Sequence, residues 1–137
     1  NSEIVNVSRY SEAGHEVHGR PAGSVMTVTF TLDGQTFIAL NGGPHFKFTE
    51  AISFFISCAT QEEVDYYWER LSAGGEEGPC GWLKDKYGLS WQVVPTALDT
   101  LLADKAGKAD RVMEALLQMK KIDLAALQQV YEGQHAG

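Results

Sequence analysis

The stretch AISFFISCATQEEVDYYWERLSAGG occupies residues 51–75. Its first nine residues are mostly apolar and of strand length, well short of the roughly 20 needed to span a membrane. Thr60 follows, with Glu63 three residues on. That is the spacing of a capping box: the threonine hydroxyl accepts from the N3 amide and the glutamate reaches back to an amide. Val64, Tyr67, Trp68 and Leu71 then recur at i, i+3, i+4 and i+7, so they share one face of a helix. Gly74-Gly75 ends it, because glycine tolerates the left-handed turn after a helix. The stretch therefore predicts a central strand leading directly into an amphipathic helix.

Downstream, residues 76–79 lead into CGWLKDKYGLSWQVVP (80–95), two strand-like runs around a polar turn. Counting the short 76–79 segment as a strand, residues 51–95 read β-α-β-β-β. The remainder reads as helix. Thr96 is placed to cap a helix holding Leu98, Leu101 and Leu102. A second helix is predicted over 106–120, with Val112, Met113, Leu116 and Leu117 on one stripe. Lys120 and Lys121 suit the negative end of its dipole. Asp123 is placed to cap a third helix carrying Leu124, Leu127 and Tyr131.

Upstream, EIVNVSRY (3–10) alternates and predicts a half-buried strand. SEAGHEVHGRPAGS (11–24) reads as a loop. VMTVTFTL (25–32) and QTFIAL (35–40) read as two strands joined at Asp33-Gly34, a strong hairpin signal. NGGP (41–44) stops the second of them. Strands followed by a helical tail define an α+β fold rather than a doubly wound sheet.

Bulk properties exclude several roles. The chain has 137 residues, one domain's worth, with 44% hydrophobic and 21% charged residues, and a formal net charge of −7. An acidic chain whose longest basic run is Lys120-Lys121 is not built for nucleic acid or for an anionic membrane. No signal peptide is visible. Cys58 and Cys80 are too few for a disulfide scaffold and predict reduced thiols in a cytoplasmic protein.

LNGGPHFKFTEAISFFISCAT, GWLKDKYGLSWQVVP and VMEALLQMKKIDLAAL resemble the PhnB-like branch of the vicinal-oxygen-chelate superfamily, which also contains glyoxalases, bleomycin-resistance proteins and extradiol dioxygenases. That branch commonly carries the label 3-demethylubiquinone-9 3-methyltransferase. The resemblance implies paired βαβββ modules forming a curled mixed sheet around a cleft. Residues 1–95 would form the glyoxalase/bleomycin-resistance-like domain, and 96–137 a helical extension of it. Residues 51–95 supply the whole second module. Residues 3–40 supply three strands of the first but not its initial βα unit. Such a gap leaves an open sheet edge, which upstream residues are expected to fill in preference to a partner chain.

Metal-using relatives place His and Glu ligands on the inward faces of four strands. In the last strand the matching position, separated by three residues from the Asp85-Lys86-Tyr87-Gly88 turn, holds Gln92 instead of a glutamate. Before the Thr60 helix the match falls near Ala51; Glu50 is adjacent, but a one-residue shift turns a side chain to the other face. In the 35–40 strand the match falls among Ile38, Ala39 and Leu40. A divalent ion needs about three deprotonated or imidazole ligands, so we expect no metal and no cofactor.

Other constellations are weak. His15 and His18 sit three apart on a predicted loop, His45 adjoins Pro44, and His135 lies near the end of the chain. Cys58 precedes the Thr60 helix, which would favour a thiolate, but a small buried hydrophobe is the simpler expectation. Glu76-Glu77 reads as a solvated pair. No glycine-rich turn lies between a strand and a helix to cradle a methyl-donor cofactor, so the residues do not support the methyltransferase label. Alternation puts Ser90, Gln92 and Val94 on one face, joined in the family register by Ser53, Phe55 and Ser57. Aromatic walls with a few polar groups suit a small organic ligand. The expected contacts are Gln92, Ser90, Ser53 and Asn41, with Trp82, Phe55 and Phe37 as walls, and the protein is expected to be a homodimer. The competing readings are a metal-dependent isomerase, lyase or dioxygenase, an enzyme using Cys58 or Glu50 without a metal, and a dimerisation module.

Overall fold

The computed structural model describes residues 1–104 and 107–133. His135 lies outside them. The chain divides into two compact units, Asn1–Lys47 and Phe48–Gly137.

The first unit contains β1 (Ser2–Arg9), α1 (His15–His18), β2 (Val25–Leu32) and β3 (Gln35–Leu40). Its three strands form an antiparallel sheet in the order β1-β2-β3. Asp33 and Gly34 make the hairpin as predicted, with φ of 49° and 81°. Positive φ at both turn positions matches the twist of the flanking strands.

Two expectations change here. The 11–24 segment is not all loop, because Gly14 and Gly19, both in the left-handed region, bracket the single turn of α1. The glycines that read as breakers act as the ends of a helix. His18 fixes that turn: its Nδ1 accepts from the Arg20 amide at 2.9 Å, and its ring lies 4.6 Å from that of Tyr10. β1 is also not half-buried. Seven of its eight residues are exposed, Ile4 at 70% and Val5 at 56%. β1 is an edge strand with two register shifts, and alternation in sequence sets which way side chains point, not what covers them.

The second unit contains β4 (Ser53–Cys58), α2 (Gln61–Ser72), β5 (Glu76–Glu77), β6 (Trp82–Lys84), β7 (Ser90–Pro95), α3 (Ala97–Leu102), α4 (Lys108–Leu116) and α5 (Leu124–Tyr131). This is the predicted βαβββ module with its helical tail. The sheet order is β4-β7-β6-β5, with β4 and β7 parallel and the other pairs antiparallel. The fold class is α+β.

The capping box forms. The Thr60 hydroxyl accepts from the Glu63 amide at 3.2 Å, and the Glu63 carboxylate accepts from the Ala59 amide at 2.8 Å. Val64 and Trp68 of α2 bury against Cys58, Leu83 and Val93 of the sheet. A second core joins Leu98, Leu101, Val112, Leu116, Ile122 and Leu127 of the tail, with Cys80 and Val94 of the module packed on it. Gln61 ties the two together: its amide donates to the Ile122 carbonyl at 2.9 Å and accepts from the Leu124 amide at 2.8 Å.

The tail departs from expectation in three places. Thr96 makes no side-chain cap, because it is already helical and its amide is bonded to the Cys58 carbonyl. α4 ends at Leu116, short of 120: the Gln118 and Met119 amides bond three residues back, to Ala115 and Leu116, and the Met119 and Lys120 carbonyls accept from the Cys80 and Gly81 amides. Lys121 consequently pairs with Asp65 at 2.8 Å and does not serve the α4 dipole. Of the predicted stripe only Val112 and Leu116 are buried, while Met113 and Leu117 are exposed. Asp123 does cap α5, accepting from Ala126 at 3.1 Å.

Candidate functional site

Strand register divides the second sheet into two faces. Ile56, Cys58, Leu83, Trp91 and Val93 pack toward α2. Two indoles on that side are held by carboxylates: Trp91 donates to Asp85 at 3.0 Å and Trp68 to Glu77 at 2.6 Å. Asp85 also accepts from the Tyr87 and Leu89 amides through its other oxygen, which shapes the β6–β7 turn.

The opposite face carries the residues picked out by alternation. Ser53 pairs with Ser90, Phe55 with Gln92 and Ser57 with Val94. On the other side of β7, Trp82 pairs with Gln92 and Lys84 with Ser90, and Glu76 pairs with Lys84. Five predicted contacts, Gln92, Ser90, Ser53, Phe55 and Trp82, are thus brought onto one face. The Gln92 amide donates to the Ser53 hydroxyl at 2.9 Å. Phe55 is 58% exposed, so this part of the face is accessible, whereas Val94 at the far end lies against the tail core.

The other two predicted contacts belong to the first unit. Phe37 stacks on Phe30 with ring centroids 5.6 Å apart. Asn41 donates to the Val25 carbonyl at 3.0 Å, and its own carbonyl accepts from the Tyr10 hydroxyl at 2.5 Å.

Ser90 differs from its neighbours. It is 1% exposed, and its hydroxyl has no hydrogen-bond partner. It lines a cavity of about 140 Å³ together with Trp82, Lys84, Glu50, Glu76 and Glu77. Lys84 and Glu50 form an ion pair. Each favours the charged form of the other, so the Glu50 carboxyl lies below its ordinary range and the Lys84 ammonium above its own. Lys84 was not singled out from the sequence. Residues 50, 76 and 84 meet only through the β4-β7-β6-β5 order, and no local spacing announces it.

The positions matching metal ligands do not make a donor set. Gln92 is a neutral amide bonded to Ser53. Glu50 lies in the turn before β4, engaged by Lys84. Ile38 and Leu40 are exposed hydrocarbon. Among the described residues no group of three or more His, Cys, Asp or Glu is placed to hold an ion. A divalent metal needs about three such ligands, so these residues do not fit one.

Cys58 is fully buried, and that burial, reinforced by the Glu63 charge, pushes its thiol up to about 11. Proximity to the α2 N-terminus does not activate it. Cys80 takes φ 57° and donates its thiol to the Leu116 carbonyl at 3.6 Å. His15 and His18 lie in α1, with His18 committed to backbone partners. His45 lies in an exposed turn. No helix among the described residues is long and apolar enough to cross a membrane.

Fold and face together define a small α+β protein built on a βαβββ module, with one sheet face under a helix and the other carrying an amide, hydroxyls and aromatic rings. Residues 1–94 match the family model described as 3-demethylubiquinone-9 3-methyltransferase, and the chain belongs to that PhnB-like family. A solved structure from Bacillus cereus, described provisionally as a 3-demethylubiquinone-9 3-methyltransferase, PhnB protein, is 37% identical. The match covers 69% of this chain and 80% of that one, with a TM-score of 0.58. A Staphylococcus aureus protein structure is 26% identical over 69% of this chain and 73% of that one, but its TM-score is 0.27. No curated protein matches the chain.

Proposed function

We propose that this protein binds a small organic molecule on the open face of the second sheet, without a divalent metal. The observation that carries the reading is Gln92. It stands where metal-using members of the vicinal-oxygen-chelate superfamily, which the chain resembles, hold a glutamate, and its amide is bonded to Ser53. An amide lacks the charge that binds a divalent ion but both donates and accepts hydrogen bonds. Ser90, Ser53 and Gln92 supply the polar contacts, and Phe55 and Trp82 the walls. A mostly apolar surface with a few placed polar groups is how such ligands are held.

Methyl transfer has no comparable support. The strand-to-helix junctions at 10–14, at Ala59-Thr60 and at Thr96 contain no glycine-rich turn to hold a nucleotide-like methyl donor. Two unpaired cysteines agree with a cytoplasmic protein. A homodimer, as the family resemblance implies, is part of this reading. Sedimentation that shows only monomer at micromolar concentration would remove the dimer from this account.

Elemental analysis of protein purified without chelators tests the main reading. We expect zinc, manganese and iron each far below one equivalent. One equivalent of any of them, lost in Gln92→Ala, would overturn it.

A further inference from the structure

The cavity at Ser90 has a chemistry of its own. Glu50, Glu76, Glu77 and Lys84 line it, but only the Glu50 and Glu76 carboxylates stand with the Lys84 ammonium on this side, because Glu77 pairs with Leu83 and turns its carboxylate to the α2 face. Glu50 is already held by Lys84, and Glu77 accepts from the Trp68 indole. Glu76 faces the same side of the sheet as Lys84 and Ser90. The Ser90 hydroxyl, 1% exposed, has no partner of its own. A buried hydroxyl without a partner is unfavourable, and native proteins keep few of them. Its volume of about 140 Å³ is far more than one water requires, since one needs only about 10–15 Å³.

We propose that this cavity is the subsite for a protonated alkylamine group of the bound molecule, with Ser90 and Glu76 as acceptors and the Trp82 ring as a wall. This rests on the binding reading above and names the ligand class for it. An ammonium offers three donors and no acceptor, which suits a hydroxyl oxygen, a carboxylate and an aromatic face. An anion would meet one negative charge in excess, that of Glu76. A neutral alcohol would satisfy Ser90 but gain nothing from the carboxylates. A divalent cation would find one carboxylate, Glu76, already facing the Lys84 charge, and a hydroxyl, short of the six or more oxygens that calcium takes.

The protein contains three tryptophans, and only Trp82 lies on this face, so its indole resonance reports on the cavity. Protein labelled with nitrogen-15 at tryptophan is titrated at constant ionic strength with n-butylammonium, n-butanol and butyrate. We expect butylammonium to shift the Trp82 indole saturably, butanol to act more weakly, and butyrate to have no effect. Ser90→Ala and Glu76→Gln are each expected to weaken the amine about tenfold or more. Ser90→Ala removes only an unpartnered hydroxyl, so its melting temperature is expected to hold or rise while binding falls. Equal responses to butylammonium and butanol, or an unchanged response in Ser90→Ala, would overturn the amine subsite. A titration with 2-naphthol separates the two readings. If naphthol shifts Trp82 and butylammonium does not, the subsite fails and the binding face stands. If neither shifts it, both fail.

Discussion

Gln92 and Cys58 occupy neighbouring strands, and each decides against a chemistry by its surroundings. Gln92 points away from α2 because Trp91 and Val93 on either side of it pack toward the helix. That orientation follows from alternation and was legible in the sequence. The Ser90 cavity was not, because its carboxylates and lysine lie on separate strands that pairing alone brings together. Cys58 makes a direct prediction. A thiol raised to about 11 by burial is almost wholly protonated at neutral pH, and the thiolate is the reactive form. Alkylation of native protein at pH 7.5 is therefore expected to be much slower at Cys58 than at a free thiol, as mass spectrometry of the two cysteines would show. Fast native-state alkylation there would restore Cys58 as a candidate nucleophile. The same shift ties stability to pH. Burial favours the neutral thiol, so its contribution is full below about 9 and is lost as the pH rises from 9.0 towards 11. Urea midpoints measured across that interval are expected to fall less in Cys58→Ser than in the parent.

At the scale of elements, helix ends were read from the sequence with uneven success, and the reason is physical. Thr60 and Asp123 sit in extended conformations, and each accepts from an amide three residues on. Local spacing is enough to specify such a cap. Thr96 has the same residue type, but the end of β7 leaves it already helical, so its side chain has no amide to cap. α4 was predicted to reach 120 from its apolar spacing. It ends four residues earlier, where the Gln118 and Met119 amides bond three residues back and the chain turns to meet Cys80 and Gly81, contacts that no local pattern encodes. Thr60→Ala and Asp123→Ala are expected to lower unfolding free energy by about 1 kcal/mol each, and Thr96→Ala by no more than about 0.5 kcal/mol. Chemical denaturation of the three variants tests this ordering. An equal cost at Thr96 would show that its hydroxyl has a role the geometry does not reveal.

At the scale of the molecule, the α+β class and the βαβββ module were legible because the capping box, the two-glycine stop and the Asp33-Gly34 hairpin are local devices. The burial of β1 was not, since it depends on what covers an edge strand. The tail helices belong to the core of the second unit: Leu127 and Ile122 are fully buried, and Val94 of β7 packs against their cluster. Leu127→Ala is expected to cost about 2–5 kcal/mol. A chain ending at residue 95 is expected to lose cooperative unfolding, which circular dichroism during heating would report. A truncated chain that melts as sharply as the parent would make the tail a mere appendage.

A metal-free binding face around Gln92 is checked by mapping backbone and indole shifts while 2-naphthol is titrated into chelator-treated protein. We expect saturable shifts grouped at Ser53, Phe55, Trp82 and Gln92, weakened in Gln92→Ala and indifferent to added zinc or manganese. Shifts that appear only when metal is restored, or that group away from this face, would contradict it.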